Sequence, residues 1–171
     1  HGREHSFPTR RSSDLLVDIA ALARVVAPRQ PVPSDLLALI QGGEPALASL
    51  RALAEAAVKA GSSLPQVDTS AVTWLPPVPT PSKIVCLALN NRALDAIKIR
   101  APTDHPAFFL KPHTALTGHL QAIRLRAAYG LTHPEPELGV IIGTRLSHVT
   151  PEQALAGVFG YTIVNDITSV G

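Results

Sequence analysis

The sequence predicts an α+β protein, a helical N-terminal region followed by a sheet-rich region that carries the chemistry. Three observations lead there. Residues 15–60 are rich in Ala and Leu, with apolar positions at helical spacing. Four prolines, Pro76, Pro77, Pro79 and Pro81, then disfavour both helix and central strand and make a stiff extended connection. Beyond them come short apolar runs with β-branched residues, among them IVCLAL, FFL, ELGVIIG and YTIV, each too short for an ordinary helix.

In order, LLVDIAALARVVA (residues 15–27) has helical spacing and is ended by Pro28. Ser34-Asp35 begins a short apolar helix, LLALIQ, closed by Gly42-Gly43. Glu44-Pro45 opens the longest helix, with Leu47, Leu50, Leu53 and Val58 expected along one buried face and Gly61 as its stop. These stripes read as core and carry no polar cluster. The domain boundaries are therefore a helical region over 16–75, a linker over 76–82 with Trp74 as a packing anchor just before it, and a sheet-rich domain over 83–171. In that domain KIVCLALNN is expected as a buried strand ending at Asn90, and FFLKP as a second buried strand ending at Lys111. The Pro-rich loop RAPTDHP between them holds Asp104 and His105, and a glycine turn after Lys111 holds Thr114.

The richest stretch is EPELGVIIGTRLSHVTPEQALAGVFGYTIVND, residues 135–166. It reads as strand, turn, helix, strand. Thr150 is the expected N-cap, Pro151 the first helical residue and Gln153 the reciprocal member of a capping box. Side chains alternate along a strand, so Glu135 and Glu137 share a face about 6–7 Å apart. Gly139 then leaves room on that face. Two carboxylates so close repel, and a cation or a raised pKa relieves them. Asp166, 29 positions beyond Glu137, returns on the second strand. Three carboxylates make an all-oxygen site suited to Mg²⁺, Mn²⁺ or Ca²⁺ rather than Zn²⁺. The same acids also suit a solvated strand end and a turn cap. His133 beside them reads as a loop residue or an outer neighbour of the site, because imidazole is not a preferred Mg²⁺ ligand.

Composition narrows the classes. Hydrophobic residues make up 46% and charged residues 16% of 171, a globular balance. No apolar run approaches the roughly 18–20 residues of a membrane span. Cys86 is the single cysteine, so no internal disulfide can form, and in its apolar run it reads as a small buried hydrophobe. With no Met anywhere, the chain does not open on a start residue, and residues 5–15, HSFPTRRSSDL, look like the in-frame translation of a sequencing adapter. Residues 1–15 are set aside as an expected disordered artefact. Without them Lys+Arg falls from 15 to 12 and Asp+Glu from 13 to 11, a net charge of +1. That gives no basis for a nucleic-acid partner.

Three segments, KIVCLALNNR, PAFFLKPHTALTG and EPELGVIIGTRLSHVTPEQALAGVFGYTIVNDIT, resemble the catalytic domain of the fumarylacetoacetate hydrolase family. The resemblance implies a mixed β-sandwich or roll, commonly dimeric, of which this chain is a truncated part. It implies a divalent metal, Mg²⁺ or Mn²⁺, on Glu135, Glu137 and Asp166, with Lys111, Asn90 and Thr114 near the substrate. The implied substrate is a 2-oxo acid or diketo acid, and the implied chemistry passes through a metal-stabilised enolate. Hydrolysis of a C–C bond, decarboxylation, isomerisation and hydration all occur on this framework, among them steps of aromatic catabolism, and the composition and single cysteine fit a cytoplasmic protein. Many relatives carry N-Y-x-D-H-x-x-E where this chain begins at Asn90, so their acid–base pair falls on Leu94 and Ile97. Neither moves a proton, which tilts the reading from hydrolase toward lyase or isomerase and leaves Asp104 and His105 as the candidate catalytic pair. The alternative class is a metal-stabilised binding module or inactive fragment without turnover.

Overall fold

The computed structural model describes residues 16–60, 64–90 and 104–170. The adapter-like residues 1–15 and the positions of Leu94 and Ile97 lie outside them. The chain divides into two compact units, His1–Thr73 with Arg126–Gly171, and Trp74–Leu125.

In the first unit the helix expected over residues 15–27 starts later. Leu16–Val17 (β1) pairs antiparallel with Gln66–Val67 (β2), and the helix is Ile19–Val26 (α1). Asp18 sets that boundary by accepting a hydrogen bond from the Ala21 N–H at 2.9 Å, an N-cap the apolar periodicity alone overlooks. Leu36–Ala60 (α2) contains both helices foreseen on either side of the double glycine, broken where Gly43 takes φ 58° and ψ −150°. Only glycine adopts that conformation without strain. Gln30 ties the preceding loop to α2 by donating to the Ser49 carbonyl at 2.6 Å and the Ser49 hydroxyl at 2.7 Å.

Leu22 and Ala23 of α1 pack on Leu53 and Ala57 of α2, with Val17, Val26, Val32, Leu50 and Leu64 around them. Leu53 is fully buried. Val58, expected on this stripe, is 81% exposed. The 3.6-residue period carries the buried face from Leu50 through Leu53 to Ala57 and leaves the next residue pointing away.

The remainder of the first unit is a two-stranded ribbon. Leu131–His133 (β5) pairs antiparallel with Thr168–Val170 (β8), and Pro136–Ile142 (β6) with Val158–Asn165 (β7). The helix Pro151–Ala156 (α3) joins β6 to β7 and carries the expected capping box. Gln153 N–H donates to the Thr150 hydroxyl at 3.3 Å, and Thr150 N–H to Gln153 Oε1 at 2.8 Å. Strand β7 begins three residues ahead of the expected YTIVND run, directly after the Gly157 cap.

In the second unit Ile84–Ala88 (β3) and Ala107–Lys111 (β4) form an antiparallel pair, from Ile84 opposite Lys111 to Ala88 opposite Ala107. Both strands were expected to be buried, and they are not. Val85, Leu87, Phe108 and Leu110 share one face and are 52%, 55%, 64% and 65% exposed. Cys86 is half-buried on the other face. An apolar run makes a strand, but burial needs a second layer over its face. Among the described residues every sheet is a two-stranded ladder, so the α+β class holds and no packed sandwich or roll is assembled there. Trp74 is 38% exposed and anchors a turn: its carbonyl accepts from Gln121 Nε2 at 3.1 Å, and its ring meets His119 edge-on.

Leu53→Ala is expected to cost about 2–4 kcal/mol in chemical denaturation, while Val58→Ala stays within about 0.5 kcal/mol. Gly43→Ala should lose about 1–3 kcal/mol through its backbone conformation alone.

Candidate metal centre on the β-ribbon

The two halves of the ribbon keep one register. Leu131 faces Val170 and His133 faces Thr168, and beyond the interruption Pro136 faces Asn165 and Glu137 faces Val164 without slippage. The interruption falls at Glu135 and Asp166, and the Asp166 N–H bridges it by donating to the Glu135 carbonyl at 2.8 Å. Period-two alternation therefore puts His133, Glu135, Glu137 and Gly139 on one face with Thr168, Asp166, Val164 and Thr162. Thr132 and Ser169 lie on the opposite face, where their hydroxyls meet at 2.8 Å.

On the first face Glu135 and Asp166 are direct cross-strand neighbours, and Glu137 is one rung along. Facing positions in such a ladder stand about 5 Å apart. Glu135 and Asp166 are half-buried and Glu137 is exposed. His133 Nδ1 lies 3.5 Å from Glu135 Oε1, and the Thr168 hydroxyl donates to the Asp166 carbonyl at 3.3 Å. Val164 stands opposite Glu137 and gives that end of the face an apolar wall.

Gly139 corrects an expectation. The space beside it is filled: a Cβ there would sit 2.7 Å from Thr162 Cγ2 and 2.8 Å from Val164 Cγ2. The glycine lets the partner strand's methyl groups close over the ladder rather than admitting a ligand.

The register thus puts the three carboxylates foreseen from sequence on one face, with His133, expected as a loop residue or outer neighbour, and Thr168 beside them. Thr168 had only its place in the NDIT run, and His133 its place beside the acids. The donor set is hard and anionic, which fits Mg²⁺, Mn²⁺ or Ca²⁺. Among the described residues no three His, Cys, Asp or Glu side chains converge into a closed ligand cluster.

The other candidates belong to the second unit. Lys111 ends β4, half-buried, with its Nζ 5.8 Å from the centre of the Phe109 ring. Asn90 is exposed just after Leu89, which takes a positive φ of 58°. Thr114 is exposed in the short turn His113–Ala115. Asp104 Oδ1 lies 2.7 Å from His105 Nδ1, with both side chains mostly exposed.

The family model described as fumarylacetoacetate (FAA) hydrolase C-terminal matches residues 83–170. The chain is 33% identical over 161 residues to oxaloacetate tautomerase YisK of Bacillus subtilis, covering 90% of this chain and 53% of that protein. A mitochondrial oxaloacetate tautomerase of Rattus norvegicus is 29% identical over 140 residues, with 81% of this chain and 42% of that protein covered. Among solved structures, maleylpyruvate hydrolase from Sphingobium sp. SYK-6, in complex with manganese(II) and pyruvate, superposes with a TM-score of 0.64 at 28% identity. That match covers 95% of this chain and 55% of the other. The chain spans about half the length of the curated relatives it matches.

Gly139→Ala should destabilise the ribbon by about 1–3 kcal/mol through overpacking. Gly160→Ala should be close to neutral, since a Cβ there meets nothing within 4 Å. Denaturant titration of the two variants checks the contrast. The Glu152 carboxyl at the start of α3 is held below its usual 4.5 by hydrogen bonds, first from its own backbone and then from the Thr150 side chain. Because the folded value is the depressed one, its contribution is present above about pH 4.5 and lost as pH falls through the folded value. A carbon-detected NMR titration of Glu152 should accordingly show a midpoint below 4.5.

Proposed function

The chain belongs to the fumarylacetoacetate hydrolase family, and on that premise we propose that it forms part of a metal-dependent enzyme acting on a 2-oxo acid or diketo acid. The observation that carries this is the register placing Glu135 opposite Asp166 with Glu137 on the same face. Mg²⁺ or Mn²⁺ is the proposed cofactor, held by those three carboxylates. When bound, such an ion supplies Lewis-acid polarisation of a substrate carbonyl. Manganese and pyruvate in the Sphingobium hydrolase support this choice of ion and substrate class.

The chain's own residues supply the rest of the proposal. Glu135 and Asp166 project from a backbone pinned by the Asp166–Glu135 hydrogen bond. Lys111, Asn90 and Thr114 are the proposed substrate contacts, with the lysine countering a substrate carboxylate. His105 is the proposed acid–base group. A histidine whose Nδ1–H donates to a carboxylate keeps Nε2 for proton transfer, and Asp104 stands where it can fix that tautomer. Within the same proposal, residues 16–75 form an accessory helical region, residues 76–82 a connection and residues 83–171 part of a sandwich-type catalytic domain. The whole enzyme is proposed to work as a cytoplasmic homodimer. Between the named activities of relatives, tautomerisation or lyase chemistry is favoured over hydrolysis, because in a sequence alignment on Asn90 the acid–base positions of many relatives fall on Leu94 and Ile97. Among the described residues no helix is long and apolar enough to cross a membrane.

The deciding experiment is a Mn²⁺ binding isotherm with and without pyruvate or oxalate. Tighter Mn²⁺ binding in their presence, weakened at least about tenfold by Glu137→Gln, is the expected outcome. Mn²⁺ binding indifferent to oxalate would favour a non-catalytic, metal-stabilised module instead. In the full-length enzyme, His105→Ala is expected to lower kcat on oxaloacetate or maleylpyruvate by about 10²–10⁴. Unchanged turnover would remove His105 from the mechanism.

A further inference from the structure

We propose that His133 is a positioning residue for Glu135, donating a hydrogen bond from its Nδ1 that orients the Glu135 carboxylate toward Asp166 across the ladder. The inference rests on the metal reading above and adds a residue to it.

His133 is two positions before Glu135, so it shares the carboxylate face and occupies the rung beside the Glu135–Asp166 pair, opposite Thr168. Its Nδ1 lies 3.5 Å from Glu135 Oε1, at the outer edge of hydrogen-bonding reach, and both side chains are 41% exposed. A glutamate at a strand interruption has several rotamers within its reach, and holding one of them costs side-chain entropy. A donor on one carboxylate oxygen fixes the plane of the group and turns the other oxygen away from the donor. Asp166 is the residue across the rung from Glu135, so it is the neighbour the freed oxygen would meet. Carboxylates that ligate metals are themselves commonly held by such outer hydrogen bonds.

The residue type fits the task. A lysine or arginine at this position would bring a permanent positive charge beside a cation site and weaken it. Imidazole supplies an N–H without that obligatory charge. It is also a poorer ligand than carboxylate for Mg²⁺ or Mn²⁺, so His133 stays an orienting group rather than a fourth ligand. The adjoining rung is braced as well, by the Thr168 hydroxyl donating to the Asp166 carbonyl at 3.3 Å.

The test uses the full chain and two readouts. In metal-free protein, nitrogen NMR of His133 should report the Nδ1-protonated tautomer and lose that bias in Glu135→Ala. In Mn²⁺ titrations, His133→Ala and His133→Phe should each weaken binding about 10–100-fold. His133→Asn, whose amide N–H stands near the place of Nδ1, should restore most of it. Unfolding midpoints of the metal-free variants should match the wild type, and His133→Phe carries the comparison if His133→Ala fails to fold. Unchanged Mn²⁺ affinity in His133→Phe, with Glu137→Gln still weakening it, overturns the inference and leaves the metal reading standing. Nitrogen coupling to bound Mn²⁺ that vanishes in His133→Phe overturns it differently, by making His133 a ligand. Absence of Mn²⁺ binding in the wild type overturns both.

Discussion

The hydrogen bond from the Asp166 N–H to the Glu135 carbonyl crosses the ribbon at the break between the β5–β8 and β6–β7 ladders and keeps the rungs on either side in step. Much else in the ribbon depends on that. A slip of one residue would send every side chain to the other face, moving Glu135 and Glu137 away from Asp166 and putting Leu138 and Val140 beside it in their place. The constraint is local, a single backbone contact of 2.8 Å, yet its effect reaches residues on two strands separated in sequence by a turn and a helix. The capping box that starts α3 and the Gly157 cap that ends it serve the same purpose, because they set the length of the connection between β6 and β7.

The two faces of this ribbon have opposite chemistry. One presents His133, Glu135, Glu137, Asp166 and Thr168. The other presents Leu138, Val140, Tyr161 and Ile163, exposed by 68%, 48%, 63% and 89%. The β3–β4 pair has a comparable apolar face in Val85, Leu87, Phe108 and Leu110. Ladders of this composition are those that pack against another layer. Full burial of large side chains is instead concentrated at Leu53, between the two helices, where α1 and α2 bring their stripes together. Stability and candidate chemistry are thus carried by different elements.

Local interactions explain how far the sequence could be read. The break at Gly43, the cap at Thr150 and the start of α3 were legible because glycine conformation and capping hydrogen bonds are decided within a few residues. The missed start of α1 had the same local origin: Asp18 as N-cap outweighed an apolar pattern that extended past it. Burial was not legible in this way. Val58, Val85 and Phe108 have the composition of core residues and are exposed, since whether an apolar side chain is covered depends on what lies beyond its own element.

The sequence by itself determined the α+β class, the helices on both sides of the double glycine and the strands at IVCLAL, FFLK, ELGVIIG and YTIV, and it singled out the three acids as candidates, because residue type, period and capping are local properties. Only the tertiary structure decided that Glu135 faces Asp166 across a rung, that His133 and Thr168 flank that rung, and that the space beside Gly139 is occupied by methyl groups of Thr162 and Val164. The physical reason is register. Which residue opposes which is set by hydrogen bonds between strands, and no stretch of one strand contains that information alone.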